Sequence, residues 1–198
     1  MSGTCNMEND LEACILSRPV YRPVEVDKRS TFHLFIGQAV SVTLSEKSSV
    51  KIIADTPKKL NQLYESCSYL KHKIIFIASD VHYMNSELQA CLLTAPVNTR
   101  VYIDGTESFL WLLAKQLNAF GVAIDQISMI KPENKQRNIY CVHCNSITHA
   151  VKASPAHCLY CQRNLFVTDH FSKRHGAYQA YQVNAEEPDE IPIAQELM

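Results

Sequence analysis

Two Cys-x-x-Cys pairs, Cys141/Cys144 and Cys158/Cys161 in "YCVHCNSITHAVKASPAHCLYC" (residues 140–161), constrain this chain more than any other feature. Each pair fits the corner of a short hairpin, and two such corners can turn four sulfurs toward one point. Zinc accepts that set at ~2.3 Å from each sulfur in a closed tetrahedron, with no position left for substrate or water. The thirteen residues between the pairs put the spacing close to, and slightly short of, the ribbon pattern with a gap of roughly 15–20 residues. The expectation is a zinc ribbon in which the metal serves shape rather than chemistry. A single iron or an iron–sulfur cluster suits four thiolates as well and stays open. Redox-active pairs fit poorly, because nothing like a thioredoxin unit surrounds either one. With four thiolates at hand, His143, His149 and His157 are expected at the surface or around the ligands.

The remaining cysteines, Cys5, Cys14, Cys67 and Cys91, stand alone and read as buried or incidental thiols. Paired spacing confined to one stretch points to a metal in a reducing compartment, not to a disulfide framework. Glu8, Asp10 and Glu12 sit where a signal peptide would carry Lys or Arg. No run reaches ~18 apolar residues, so no membrane span is expected and the reading is cytoplasmic. A net charge of −1 gives no basic field for nucleic acid, which argues against a stand-alone nucleic-acid-binding ribbon.

Upstream, short apolar runs alternate with helical patterns. "TFHLFIG" (31–37), "SVKIIAD" (49–55), "KIIFIASD" (73–80), "TRVYIDG" (99–105) and "AIDQISMI" (123–130) read as strands. Thr56-Pro57 offers a cap and a first-turn proline to a helix whose inner stripe is Leu60, Leu63, Tyr64 and Cys67. A second helix is predicted over 84–95. A third follows in "TESFLWLLAKQLNAFG", with Phe109, Leu110, Leu113, Leu117 and Phe120 on one stripe and Gly121 as its stop. Such alternation predicts an α/β domain with a mostly parallel sheet covered on both faces. The organisation is read as an N-terminal arm (1–30), a Rossmann-like α/β domain (31–131), a zinc-ribbon module with an interface segment (138–183) and an acidic tail (184–198). Pro19 and Pro23 hold part of the arm extended, lying on another surface.

The nucleotide fingerprints are missing. "GQAVSV" after the first strand has one glycine where G-x-G-x-x-G is wanted, and no P-loop occurs. Asp104 and Glu107 would repel phosphate, and Asp55 is placed either for a ribose or for a turn. In "DHFSKRHGAYQAY", Asp169, His170, Phe171, Lys173, Arg174 and Tyr178 combine aromatic and basic groups typical of interface centres. Covering the ribbon's own back face is the other reading of the same residues.

"TRVYIDGTESFLWLLAKQLNAFGVAIDQI" resembles the last strand–helix unit of ferredoxin-reductase NAD(P)-binding domains, with Asp104-Gly105-Thr106 in place of a Cys-Gly-Pro turn. That departure implies a degenerate nucleotide domain. Over nearly the whole chain, "SRPVY", "TRVYIDGTESFLW", "YCVHC", "DHFSKRHGAY" and "NAEEPDE" resemble the small DmmA-like subunit of dimethylamine monooxygenase. The resemblance implies a non-catalytic subunit of an NADPH- and O2-dependent oxidoreductase that converts dimethylamine to methylamine and formaldehyde. It implies haem-containing and flavin/iron–sulfur reductase partner subunits, with haem, FMN and the iron–sulfur cluster on those partners only. The metal residues are then Cys141, Cys144, Cys158 and Cys161. The rival reading is an electron-transfer or reductase component that uses a four-cysteine iron centre or bound NADPH.

Overall fold

The computed structural model describes residues 17–39, 42–43, 53–54, 57–186 and 190–197. Residues 1–16 of the expected arm, with Cys5 and Cys14, the Asp55-Thr56 turn and residues 187–189 of the acidic tail lie outside them. The chain forms two units, Tyr21–Asn134 and Lys135–Met198, the latter grouped with Met1–Val20.

In the first unit, β1 (His33–Gln38), β2 (Val42–Thr43), β3 (Ile53–Ala54), α1 (Lys58–Ser66), β4 (Lys73–Ala78), α2 (Asn85–Thr94), β5 (Arg100–Asp104), α3 (Glu107–Ala119) and β6 (Ile127–Met129) follow in order. Four strands make one sheet in the order β4-β1-β5-β6, and every neighbouring pair is parallel. Successive residues of a strand point to opposite faces, so a strand buried on both sides must be apolar throughout. Leu34 and Ile36 of β1 and Val101 and Ile103 of β5 meet α2 and α3 through Leu88, Phe109, Leu110, Leu113 and Leu117. Phe35 and Tyr102, the residues between, meet α1 through Leu60 and Cys67. Phe35 lies edge-on to Tyr64 at 5.2 Å and stacks on Tyr102 at 4.9 Å. Val24 and Val26 of the proline-held strip pack on this second core, and the Asp27 amide donates to the Tyr102 hydroxyl at 3.1 Å.

The predicted stripes of α1 and α3 are the buried stripes, and Gly121 leaves α3 with φ 92°. The strand predicted at 49–55 differs. Its described residues, Ile53–Ala54, pair antiparallel with Val42–Thr43 in a separate two-stranded ladder. A parallel neighbour needs a crossover of about a dozen residues, usually helical, whereas antiparallel strands close over a short loop. β2 takes part of the chain between β1 and β3 that a crossover would need.

The chain leaves β1 toward β4 on one side and returns to β5 on the other, so the crossing direction reverses between β1 and β5 at their carboxyl ends. That crevice is where open α/β sheets bind ligands. Here Gln38 Oε1 accepts from the Thr106 amide at 2.8 Å and from the Thr106 hydroxyl at 2.9 Å. The Asp104 carboxylate accepts from the Leu60 amide in the first turn of α1 at 3.2 Å. A Cβ on Gly105 would lie 2.7 Å from Gln38 Cβ, and one on Gly37 would lie 2.8 Å from Leu60. The N-termini of α1 and α3 therefore meet the protein's own acceptors.

The second unit contains β7 (Arg137–Cys141), β8 (Ile147–Val151), β9 (Ala153–Ser154), β10 (Ala156–His157), β11 (Asn164–Ser172), β12 (Ala177–Gln182) and β13 (Gln195–Glu196). Five strands order as β10-β11-β12-β7-β8, antiparallel except for the β12–β7 pair. Its core is small: Ile139, Cys141, Cys158, Leu165, Val167, Tyr178, Ala180 and Leu197. β13 pairs with β9, and the Leu197 amide donates to the Lys152 carbonyl at 2.9 Å. The chain's penultimate residue thus closes the core around the cysteines.

Burial raises the Asp104 carboxyl above its ordinary value, against the opposing pull of the Leu60 amide and Lys59. The unfolded chain then loses this proton first as pH rises, so ionisation costs folded-state stability through and above the usual carboxylate range near ~4. Asp104→Asn keeps an acceptor for the Leu60 amide without the charge. Its stability relative to the parent, measured by urea unfolding, is expected to improve as pH rises through and above the usual carboxylate range and then to level off.

Candidate metal centre

Each Cys-x-x-Cys pair sits at the tip of a hairpin, one between β7 and β8 and one between β10 and β11. The two tips have the same backbone. The Cys141 amide donates to the Ser146 carbonyl and the Asn145 amide to the Cys141 carbonyl, both at 2.9 Å. The Cys158 amide donates to the Arg163 carbonyl at 2.9 Å and the Gln162 amide to the Cys158 carbonyl at 3.1 Å. The fifth residue of each turn is left-handed, Asn145 at φ 59° and Gln162 at φ 61°. Asparagine enters that region readily. For glutamine it costs energy, which the hydrogen-bonded turn must hold. This repeated loop lifts both sulfurs of a pair to the same side of its hairpin.

The result is a cluster. All four sulfurs lie within 4.8 Å of one another. Cys141 Sγ is 3.8 Å from Cys161 Sγ, and Cys144 Sγ is 3.7 Å from Cys158 Sγ. A disulfide needs about 2.05 Å, so these are free thiols. A tetrahedron with bonds of ~2.3 Å has edges of about 3.8 Å. The donor set fits a metal ion of zinc's size, and filling it leaves no open coordination position.

The electrostatics point the same way. Burial pushes the Cys141 thiol up to about 11. The Ser146 hydroxyl beside Cys144 draws that thiol down to about 6. At Cys161 burial acts upward, but the Arg163 amide and guanidinium help bring the thiol below its usual value. By themselves Cys141 and Cys144 would not share one protonation state at neutral pH. A dication holds all four as thiolates and releases protons as it binds. His143, His149 and His157 are not part of the cluster. Arg163 Nη1 donates to His143 Nδ1 at 2.5 Å, and His157 Nε2 lies 2.8 Å from Gln162 Oε1.

The six residues read as an interface divide. Asp169 accepts from Arg18 Nε at 2.7 Å and from Arg137 Nη1 at 3.1 Å, at a bulge where the β11–β12 register shifts. Phe171 lies edge-on to Tyr178 with ring centres 5.0 Å apart. Tyr178 is buried, with the Arg137 guanidinium 4.4 Å from its ring centre. His170 is exposed, its Nδ1 3.1 Å from the Ser17 hydroxyl, and Lys173 and Arg174 are exposed in the turn between β11 and β12. So Asp169, Phe171 and Tyr178 hold the unit together, while His170, Lys173 and Arg174 face solvent. Sequence reasoning missed Gln38, Arg18 and Leu197. No motif marks them, since each acts on a residue distant in the chain.

Fold and site define an α/β chain carrying an appended four-cysteine module able to bind a metal. Residues 13–127 match the N-terminal domain model of the dimethylamine monooxygenase subunit DmmA-like family, and residues 138–181 match its C-terminal domain model. The chain belongs to this family. It is 35% identical over 101 residues to the heme-dependent oxidative N-demethylase delta subunit of Ectopseudomonas mendocina (strain ymp). That match covers 51% of this chain and 58% of the relative, so the chain spans little more than half of the curated protein it resembles. No solved structure matches.

Cys158→Ser, which replaces a buried thiol of the cluster, should abolish stoichiometric metal retention after gel filtration and lower the melting temperature. Phe171→Ala should cost about 2–3 kcal/mol in denaturant unfolding because it empties a packed site. Arg174→Glu, on the exposed turn, should stay within about 0.5 kcal/mol of the parent.

Proposed function

We propose that this chain is an accessory, non-catalytic subunit of a cytoplasmic, multisubunit dimethylamine monooxygenase. In that reaction dimethylamine, O2, NADPH and a proton give methylamine, formaldehyde, water and NADP+. A haem-containing subunit would oxidise the amine, and a flavin/iron–sulfur reductase subunit would supply electrons. This chain would bring a structural zinc ribbon that docks on those partners, and a degenerate Rossmann-like domain. The name of the relative, a subunit of a heme-dependent oxidative N-demethylase, supports the setting.

The observation that carries the non-catalytic reading is the closure of the sulfur cluster. Four thiolates at tetrahedral spacing saturate zinc, and a saturated ion offers no Lewis-acid position. The parallel order about β1 and β5 supports the Rossmann-like reading. Nucleotide binding is disfavoured by the Gln38–Thr106 and Asp104–Leu60 bonds, which occupy the helix N-termini where a pyrophosphate would lie.

The test is expression together with the haem and reductase subunits, then metal analysis of the purified complex. The expected outcome is co-purification, with one zinc per copy of this chain and no detectable heat of NADPH binding to the isolated chain. Iron at the four cysteines, or saturable NADPH binding, would replace this reading with that of an electron-transfer component.

A further inference from the structure

Beside α1, away from the crevice between β1 and β5, the first unit holds a cavity of about 550 Å³. Sites for small organic ligands run to roughly 300–1,000 Å³. One wall is a single face of α1, where Lys59, Gln62, Leu63 and Ser66 stand three and four residues apart. The strip over residues 21–24 forms the opposite wall, and Ile130 and Lys131 close the space just beyond β6. Every lining residue belongs to the Tyr21–Asn134 unit.

The strip wall is tied down on both sides of the cavity. At its start the Tyr21 hydroxyl donates to Glu107 Oε1 at 2.8 Å and accepts from Trp111 Nε1 at 3.2 Å. Beyond its end the Asp27 amide donates to the Tyr102 hydroxyl at 3.1 Å, and Asp27 Oδ2 pairs with Arg100 at 3.1 Å. Val24 from the strip, Leu63 from α1 and Ile130 all belong to the core built on Phe35 and Tyr102. The apolar part of the lining is therefore preformed, which removes the cost of ordering it around a ligand.

Charge on the lining has one sign. It includes Arg22, Lys59 and Lys131 and no Asp or Glu. Lys59 Nζ is paired at 3.1 Å with Glu133, which is not a lining residue. Arg22 and Lys131 are exposed and, among the described residues, have no ion-pair partner. Glu25 and Glu65 adjoin the walls in sequence without lining the cavity. Two unpaired cations beside an apolar surface attract an anion more strongly than the same cations in open water.

We infer that this cavity binds a small organic anion, a carboxylate or sulfonate carried on an aromatic or branched apolar body. The apolar body rests on Val24, Leu63 and Ile130, and the anionic group lies toward Arg22 and Lys131. The site goes beyond the accessory-subunit reading and does not depend on it.

The experiment titrates the full chain with anilinonaphthalene sulfonate and, separately, with phenylnaphthylamine, which keeps the aromatic body and lacks the sulfonate. Fluorescence gives the affinities, and amide chemical shifts of the labelled protein locate the probe. The double variant Arg22→Glu/Lys131→Glu is compared with Lys58→Glu/Lys71→Glu, which makes the same change in net charge on exposed residues outside the cavity. Melting temperature and metal content are measured on each. Saturable binding of one sulfonate per chain is expected, with shifts centred on residues 21–24, 59–66 and 130–131 and an affinity that falls as salt rises. Reversing Arg22 and Lys131 should weaken it about tenfold or more, while the control reversal stays within about twofold of the parent. The neutral probe should bind at least about fivefold more weakly than the sulfonate. The shift map and the neutral probe need no variant, so they decide even where a substitution disturbs the fold. No saturable binding, or shifts centred elsewhere, would overturn the site. Equal weakening by the control reversal, or equal affinity for the neutral probe, would overturn the assignment to an anion. Displacement of the sulfonate by NADPH would overturn the ligand class in favour of a nucleotide.

Discussion

The second unit is organised around four sulfur atoms that cannot be placed independently. Each hairpin tip has its reverse turn closed by two backbone hydrogen bonds and one left-handed residue, so the sulfurs of a pair rise together. Cys141 and Cys158 are at the same time core residues, packed with Ile139, Leu165 and Leu197. A core of eight buried residues is small for an independent fold. Closing the four sulfurs on a cation adds the cross-link between hairpins that such a core lacks. The antiparallel ladders and the docking of Leu197 follow from where the two tips must meet.

The first unit has the layout of a ligand-binding α/β sheet, but its binding crevice is occupied. In nucleotide-binding sheets, glycines clear space at the reversal of strand order so that phosphate can reach helix amides. Here Gly37 and Gly105 clear that space for Leu60, Gln38 and Phe109. A buried carboxylate, Asp104, stands where an anion would be bound. The Asp104 carboxyl already accepts from one helix N-terminus, and a glutamine oxygen accepts from the next.

Polar and aromatic residues near the cysteines have two fates. Asp169, Arg137 and Tyr178 neutralise and stack on one another and leave little for a partner. Val142, Leu159 and Tyr160, at the hairpin tips, are exposed. Composition does not separate the groups, since both contain an aromatic residue. Hydrogen-bond geometry does.

The sequence alone determined whatever depends on short spacing. The cysteine pairs, the inner stripes of α1 and α3, the apolar core strands and the glycine stop after Ala119 and Phe120 are local patterns, written in periods of two, three and four residues. Only the tertiary structure decided what long-range contact controls. It took residues 53–54 into a separate antiparallel ladder, gave Gln38 to Thr106 and Asp104 to Leu60, and buried Tyr178 against the Arg137 guanidinium. The physical reason is that a side chain's periodicity sets which face it lies on. Its partner on that face is set by the path of a chain that returns from dozens of residues away, and no local pattern encodes that path.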